Sequence, residues 1–93
     1  MPLTVVLPRA LQPYAQGAGT LRLDDRCATV ADALSAVRQR WPGVVDRVTN
    51  ERGEVREHVN IFVGDESIRF AGGLATPVGD GDTIMIVAAV SGG

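Results

Sequence analysis

Few residues in this sequence are of the types that carry out covalent chemistry. It has one cysteine, Cys27, and one histidine, His58, and no second residue of either type to complete a nucleophile and base pair or a four-ligand zinc site. Glycine motifs that bind phosphates or dinucleotides are missing too. A helix start after Cys27 could lower the thiol pKa. We nevertheless interpret both residues as bystanders and expect no catalytic residue, metal or cofactor held by this chain.

The other candidate for chemistry is the end of the sequence, where an apolar segment gives way to Ser91, Gly92 and Gly93. Glycines have no Cβ and fit narrow channels, and three residues beyond Val90 extend on the order of 10 Å. A floppy end with no role is the alternative interpretation. We predict that Gly93 presents its terminal carboxylate to another protein's active site, with Gly92 and Ser91 giving clearance.

A carboxylate at this position needs activation before it can react. Its reference pKa is about 3.3–3.7, so the group is ionised at neutral pH and resists nucleophiles. Because the sequence predicts no nucleotide site in this chain, a partner enzyme must supply the activation, most simply by making an acyl-adenylate from ATP. The chain is therefore expected to be a substrate of other enzymes and not an enzyme itself.

Length and charge limit the classes of protein to which this chain can belong. Its 93 residues suit one domain, predicted at 1–90, with 91–93 as a flexible tail. A net charge of −2 argues against nucleic acid and anionic membranes as partners, since both attract clustered basic residues. No apolar run is long enough to span a bilayer and no signal peptide is recognised, so a cytoplasmic location is expected.

Alternating apolar residues and turn-forming residues predict five strands and one main helix. The strands are predicted at 3–7, 20–23, 55–63, 68–70 and 83–90. Thr29 and Asp32 form a capping signal for a helix that ends at Trp41, before Pro42, and 44–48 is expected to form a single turn at most. This order predicts an α+β, ubiquitin-like β-grasp: a mixed sheet of four to five strands with one main helix packed on one face.

The alternation also assigns each strand residue to a face of the sheet. The predicted core consists of Leu3, Val5, Leu21, Leu23, Val30, Leu34, Val37, Val59, Ile61, Ile84 and Ile86. Phe62, Met85 and Val87 fall on the opposite face, which normally meets water. Single exposed apolar residues are common, but three together, including a Phe and a Met, predict a partner-docking patch.

Motifs in the second half of the sequence resemble the ThiS and MoaD sulfur carriers, and most of all those of the CysO type. They are Val59-Asn60-Ile61-Phe62-Val63, Asp65-Glu66, Arg69-Phe70, Gly72-Gly73-Leu74-Ala75-Thr76, Asp80-Gly81-Asp82 and the terminal Val90-Ser91-Gly92-Gly93. Ahead of His58 only the general pattern agrees. The resemblance thus covers the whole chain, but its specific motifs lie in the second half.

The resemblance implies a sequence of reactions at Gly93. A ThiF-like or MoeB-like enzyme would adenylate the Gly93 carboxylate, and sulfide sulfur, often passed on by a rhodanese domain, would replace AMP to give a thiocarboxylate. A sulfur-accepting biosynthetic enzyme, similar to a cysteine synthase or a thiosugar synthase, would then use that sulfur to make cysteine or another sulfur-containing metabolite. In CysO-type systems a metalloprotease finally trims the end of the carrier.

Two other functions stay open from the sequence. A MoaD-like small subunit of molybdopterin synthase usually has two prolines before its last residues, and this chain has Ala88 and Ala89 there, which argues against that function. A ubiquitin-like protein modifier would be joined to lysines of other proteins. All nine basic residues of this chain are arginines, which is compatible with such a role as well.

Overall fold

The computed structural model describes residues 2–88, so the predicted tail residues Ser91, Gly92 and Gly93 and the last two positions of the 83–90 strand lie outside it. The strands are β1 Leu3–Val6, β2 Thr20–Leu23, β3 Val59–Val63, β4 Glu66–Ser67 and β5 Thr83–Ala88. The α-helices are α1 Val30–Arg40 and α2 Pro42–Val48, and 3-10 helices span Arg9–Ala15, Ile68–Phe70 and Gly73–Ala75. Within the described range, no helix is both long enough and apolar enough to cross a membrane.

The five strands form one mixed sheet in the order β2-β1-β5-β3-β4. The last strand therefore lies in the centre, parallel to β1, with Val5 opposite Ile84, and antiparallel to β3, with Ile61 opposite Ile86. β1 and β2 are antiparallel, with Val5 opposite Leu21. The predicted α+β, ubiquitin-like β-grasp is confirmed.

The core lies between one face of this sheet and α1. Every residue of the predicted core is buried. The core extends further than predicted, through Leu7, Leu11, Ala15, Ala33, Ala36, Val44, Val45, Val48 and Ile68. Several of these additional residues come from the 3-10 helix Arg9–Ala15 and from α2, two elements that the sequence pattern did not reveal.

The main helix begins and ends where the sequence predicts. The Thr29 hydroxyl accepts a hydrogen bond from the Asp32 amide, and the Asp32 carboxylate accepts one from the Thr29 amide, both at 3.2 Å. This capping box satisfies amides that have no partner at a helix start. At the other end the Trp41 amide donates to the Val37 carbonyl, and Pro42 follows.

Residues 42–48 form a helix of nearly two turns, and the prediction of a single turn is wrong. Pro42 occupies the first helical position, where an amide hydrogen has no acceptor in any case. Val44, Val45 and Val48 then point into the core. Burial of these three side chains outweighs the low helix propensity of valine.

The predicted edge strand at 68–70 is also wrong. The paired residues are Glu66 and Ser67, and Ile68–Phe70 is a 3-10 helix. The tight turn at Gly64, with a φ of 60°, places the edge pairing directly after β3. The predicted strand at 55–63 is likewise too long. Val55 makes only an isolated bridge to Thr49, and β3 begins at Val59.

Candidate functional site

The chain leaves the described structure from the middle of the sheet. β5 has β1 on one side and β3 on the other, and its last residue, Ala88, lies opposite Val59. The predicted site residues Gly93, Gly92 and Ser91 follow five, four and three positions later, outside the described range. What the structure defines is therefore the platform from which those residues continue.

The turn before β5 fixes where this central strand begins. The Gly79 amide donates to the Asp82 carboxylate at 2.9 Å, and the Asp82 amide donates to the Gly79 carbonyl at 3.1 Å. The Asp82 carbonyl in turn accepts a bond from the Thr4 amide at 3.0 Å. Gly81 has a φ of 84°, a conformation that glycine adopts readily. Asp82 thereby links the turn to β1 and sets the register of β5.

The predicted docking residues share the face of the sheet that points away from α1. Met85 lies opposite both Phe62 on β3 and Val6 on β1. Met85 is 42% exposed and Val87 39% exposed, whereas Phe62 and Val6 are half-buried. We call these four residues the outer-face cluster. Phe62, Met85 and Val87 lie on one face, as predicted, and the structure adds Val6 to them. The role of this cluster in docking stays a prediction.

Arg69 binds the edge of β3 at the start of that strand, where β4 does not pair with it. One guanidinium nitrogen donates to the Glu57 carbonyl at 2.8 Å and to the Val59 carbonyl at 3.1 Å. Val59 is also the residue opposite Ala88. At the start of β3, where β3 pairs with the end of β5, the Arg69 side chain thus provides the hydrogen bonds that a neighbouring strand would otherwise provide.

The loop after β4 is tied to the start of α1. The Thr76 side chain is buried; its hydroxyl donates to the Gly73 carbonyl at 2.6 Å and accepts from the Gly72 amide at 3.0 Å. The Thr76 carbonyl accepts a bond from the Val30 amide at 3.0 Å. Of the two glycines, which the sequence predicts to supply positive φ angles, Gly73 does so with 60°. This loop is accordingly a fixed part of the fold.

Phe70 is the most exposed large apolar residue of the described chain, at 88%. The sequence does not predict this exposure, because a strand at 68–70 would place Phe70 and Ile68 on the same face. The 3-10 helix breaks that alternation, so Ile68 is buried while Phe70 faces solvent. The sequence signal against a strand at 68–70 is the short spacing between the Gly64 turn and the glycines at 72 and 73.

Cys27 and His58 do not form a reactive pair. Cys27 is half-buried against the core, and burial raises the pKa of its thiol, with a further rise from the carboxylates of Asp25 and Asp32. The thiolate is disfavoured by both causes. His58 is exposed in the turn before β3. Across residues 2–88, no three His, Cys, Asp or Glu side chains could hold a metal ion together.

Comparison with known proteins gives a consistent result. The model of the ThiS family matches residues 5–93. Among curated proteins, the sulfur carrier protein CysO of Mycobacterium tuberculosis is 35% identical over 95 residues, which is 100% of both chains. Small archaeal modifier protein 3 of Haloferax volcanii is 36% identical over 72 residues, 77% of this chain and 76% of the modifier.

The solved structures agree with this result. A chain of the Amycolatopsis orientalis BexX/CysO complex superposes with a TM-score of 0.87 and 35% sequence identity. The match covers 98% of the present chain and 99% of the other.

Proposed function

This chain belongs to the ThiS family, and on that premise we propose that it is a sulfur carrier whose Gly93 carboxylate receives and donates sulfur. The observation that carries the proposal is the match to CysO, which runs the whole length of both chains. The described residues 2–88 supply the same β-grasp platform, with which a chain of the CysO complex superposes at a TM-score of 0.87. The small, compact fold and its central last strand support a carrier more than a catalyst.

The proposed chemistry takes place in two steps at the last residue. A carboxylate oxygen of Gly93 first attacks the α-phosphorus of ATP in a partner enzyme, which forms an acyl-adenylate and releases pyrophosphate. Sulfide sulfur then attacks the carbonyl carbon and expels AMP, so that a C–S bond replaces the C–O bond to the nucleotide. The resulting thiocarboxylate is a nucleophile that can pass its sulfur to an acceptor, since thiolate-type sulfur attacks readily.

The geometry of the sheet supports this use of the end. Five residues follow Ala88, and an extended stretch of that length reaches about 17 Å. Such a reach lets the domain stay outside a partner while Gly93 enters its active site. Gly92 and Ser91 are small enough to pass a narrow entrance.

We propose two kinds of partner for this cycle. The first is a ThiF-like or MoeB-like adenylating enzyme, docked on the outer-face cluster, whose mixture of aromatic, thioether and aliphatic side chains is typical of interfaces. The second is a sulfur-accepting biosynthetic enzyme of cysteine synthase or thiosugar synthase type. The solved complex of CysO with BexX shows a relative of this chain bound to a second protein, which supports a role that depends on such contacts.

Intact mass measurement tests the proposed chemistry directly. Incubation with an adenylating enzyme of this type, ATP and sulfide should raise the mass of the carrier by about 16 Da, the difference between sulfur and oxygen. Deletion of Gly93 should abolish the mass shift and leave the melting temperature unchanged, because a terminal glycine has no side chain to add to the core that the structure describes. An unchanged carrier mass in a reaction whose ATP consumption depends on the presence of this carrier would contradict the proposal.

The similarity to small archaeal modifier protein 3 favours a second candidate function, attachment to other proteins. In that case the activated Gly93 carbonyl would form an isopeptide bond with a lysine amine. This chain has no lysine of its own, so it could not form lysine-linked chains of itself. If this function operates, mass spectrometry of trypsin-digested cell extracts would show lysine residues bearing the whole segment 70–93, because Arg69 is the last trypsin site of this chain. A sulfur-only carrier would leave none.

A further inference from the structure

A groove of about 480 Å³ lies at the edge of the fold, where β3, the loop before it and the Gly73–Ala75 helix meet. Its floor uses side chains from the helix-facing side of the sheet, so it is separate from the outer-face cluster. The lining residues are Glu54, Val55, Glu57, Val59, Ile61, Ile68, Arg69, Gly73 and Leu74. Most of them are apolar, which suits the binding of an apolar side chain.

The walls of the groove are held in place by the contacts already described. Arg69 is bound to the carbonyls of Glu57 and Val59, and the Thr76 hydroxyl holds the loop that carries Gly73. Fixed walls lower the entropic cost of binding, because little of the chain has to be ordered when a ligand arrives. The groove is thus preformed.

Phe70 does not line the groove, but it is an exposed aromatic residue within the segment that borders it. It directly follows Arg69 and precedes Gly73 and Leu74 by a few positions, and all three of these neighbours line the groove. An aromatic side chain that is 88% exposed on a tied loop contributes nothing to the core. Aromatic residues of this kind are enriched among those that dominate binding energies at interfaces.

The charges at the rim select the kind of occupant. Glu54 and Glu57 contribute two carboxylates, and neither makes a salt bridge within residues 2–88. The single guanidinium, on Arg69, is directed at two backbone carbonyls. The rim is therefore net negative, which favours a cationic occupant. The chain's own tail has no basic residue and ends in a carboxylate, so it is a poor match.

We propose that this groove docks a segment of a partner protein in which an apolar side chain is adjacent to an arginine or lysine. The apolar side chain occupies the groove beside Phe70, and the cation pairs with Glu54 and Glu57. Because Val59 lies both on the groove floor and opposite Ala88, a partner bound here also lies next to the point where the tail begins. The proposal does not depend on the chemistry at Gly93.

The test uses the full-length, 15N-labelled chain and two blocked eight-residue peptides, one of alternating leucine and arginine and one of alternating leucine and glutamate. The basic peptide should shift the amide signals of Val55, Glu57 and Leu74, and the acidic peptide should not. Phe70→Ser should weaken the basic peptide roughly tenfold, because an apolar contact is lost. Glu57→Gln should weaken it about threefold, whereas Glu51→Gln, an exposed residue outside the groove, should have no effect.

Three results would overturn the proposal. Equal binding of both peptides, or of neither, would show that the groove has no preference for a basic partner. Shifts of the groove signals with carrier concentration alone would identify a second copy of this chain as the occupant. Shifts of those signals on deletion of Gly93, without any peptide, would identify the tail. None of these results bears on whether Gly93 can be thiocarboxylated, so failure here is distinct from failure of the carrier function.

Discussion

Arg69 shows how a single side chain can support the site without taking part in its chemistry. Its guanidinium donates to the carbonyls of Glu57 and Val59, at the end of β3 that pairs with the last residue of β5. Without these bonds, the partly buried Val59 carbonyl would face an uncovered edge. The residue therefore stabilises the edge of β3 at the point where β3 pairs with Ala88, the last described residue of β5.

Replacing Arg69 by leucine should lower the free energy of unfolding by about 1–3 kcal/mol, the cost of leaving a buried acceptor unpaired. Urea denaturation followed by circular dichroism measures the change. Arg52→Leu is the matched control, because Arg52 is exposed in the 50–54 loop and its side chain makes no hydrogen bond within the described range. Equal stability of the two variants would show that the Arg69 bonds contribute nothing.

Arg69 and Phe70 belong to a motif of the family resemblance, but the sequence does not reveal their structural roles. Nothing in their spacing predicts that Arg69 binds two backbone carbonyls or that the Phe70 ring is almost fully exposed. Both depend on the 3-10 helix Ile68–Phe70, and short helices of this type carry no periodic signal. The sequence did predict Phe62 and Met85 correctly as neighbours on the outer face, since strand alternation is a strong signal.

At the scale of elements, β5 is positioned by the turn that precedes it. Gly81→Ala should destabilise the fold by about 1–2 kcal/mol, because an L-residue is strained at a φ of 84°. Gly79→Ala, in the same turn, is the control: its φ is not positive and a Cβ there meets no atom within 4 Å. Thermal unfolding of both variants measures the difference. Equal melting temperatures for the two variants would show that the positive φ of Gly81 causes no strain in the alanine variant.

The outer-face cluster gives a prediction about binding. Met85→Asp should reduce affinity for the adenylating enzyme about tenfold, the scale expected for a contact in the centre of an interface. Thr83→Asp places the same charge on the same strand and face, in a position that is exposed but lies opposite Thr4 and outside the cluster. Calorimetric titration compares the two. Similar affinities would assign docking to another surface, and unfolding of the Met85 variant would assign that side chain to the core.

The helices illustrate the limits of local patterns. α1 was predicted almost to the residue, because its capping box and its apolar spacing agree. The pattern around Pro42 does not reveal α2, because a proline suits the end of one helix and the start of the next equally well. Whether Pro42 starts a second helix depends on whether Val44, Val45 and Val48 can be buried in the core. Their burial depends on tertiary packing, which the seven residues 42–48 alone do not reveal.

At the scale of the whole molecule, the sheet order places β5, the last strand of the described range, in the centre of the sheet. The strands that flank β5 come from opposite halves of the chain, and the parallel pairing of Val5 with Ile84 joins residues almost a chain length apart. The element order is compatible with a last strand that lies between earlier ones, as in a β-grasp. The register could not be predicted, because it depends on the Gly79–Asp82 turn and its bond to Thr4.

Native-state hydrogen exchange should show that the central strand opens only when the whole molecule unfolds. Ile84 and Ile86 are fully buried and β5 is paired on both sides, so exposing their amides requires the loss of both pairings and of the core. Their exchange free energies should equal that from denaturation within about 0.5 kcal/mol. The amides of Arg52 and Gly53, bonded within an exposed turn, should exchange through local opening at much lower cost. Lower protection in β5 than in β1 would mean that the exit strand frays, and the tail would then lack the fixed platform on which the carrier function depends.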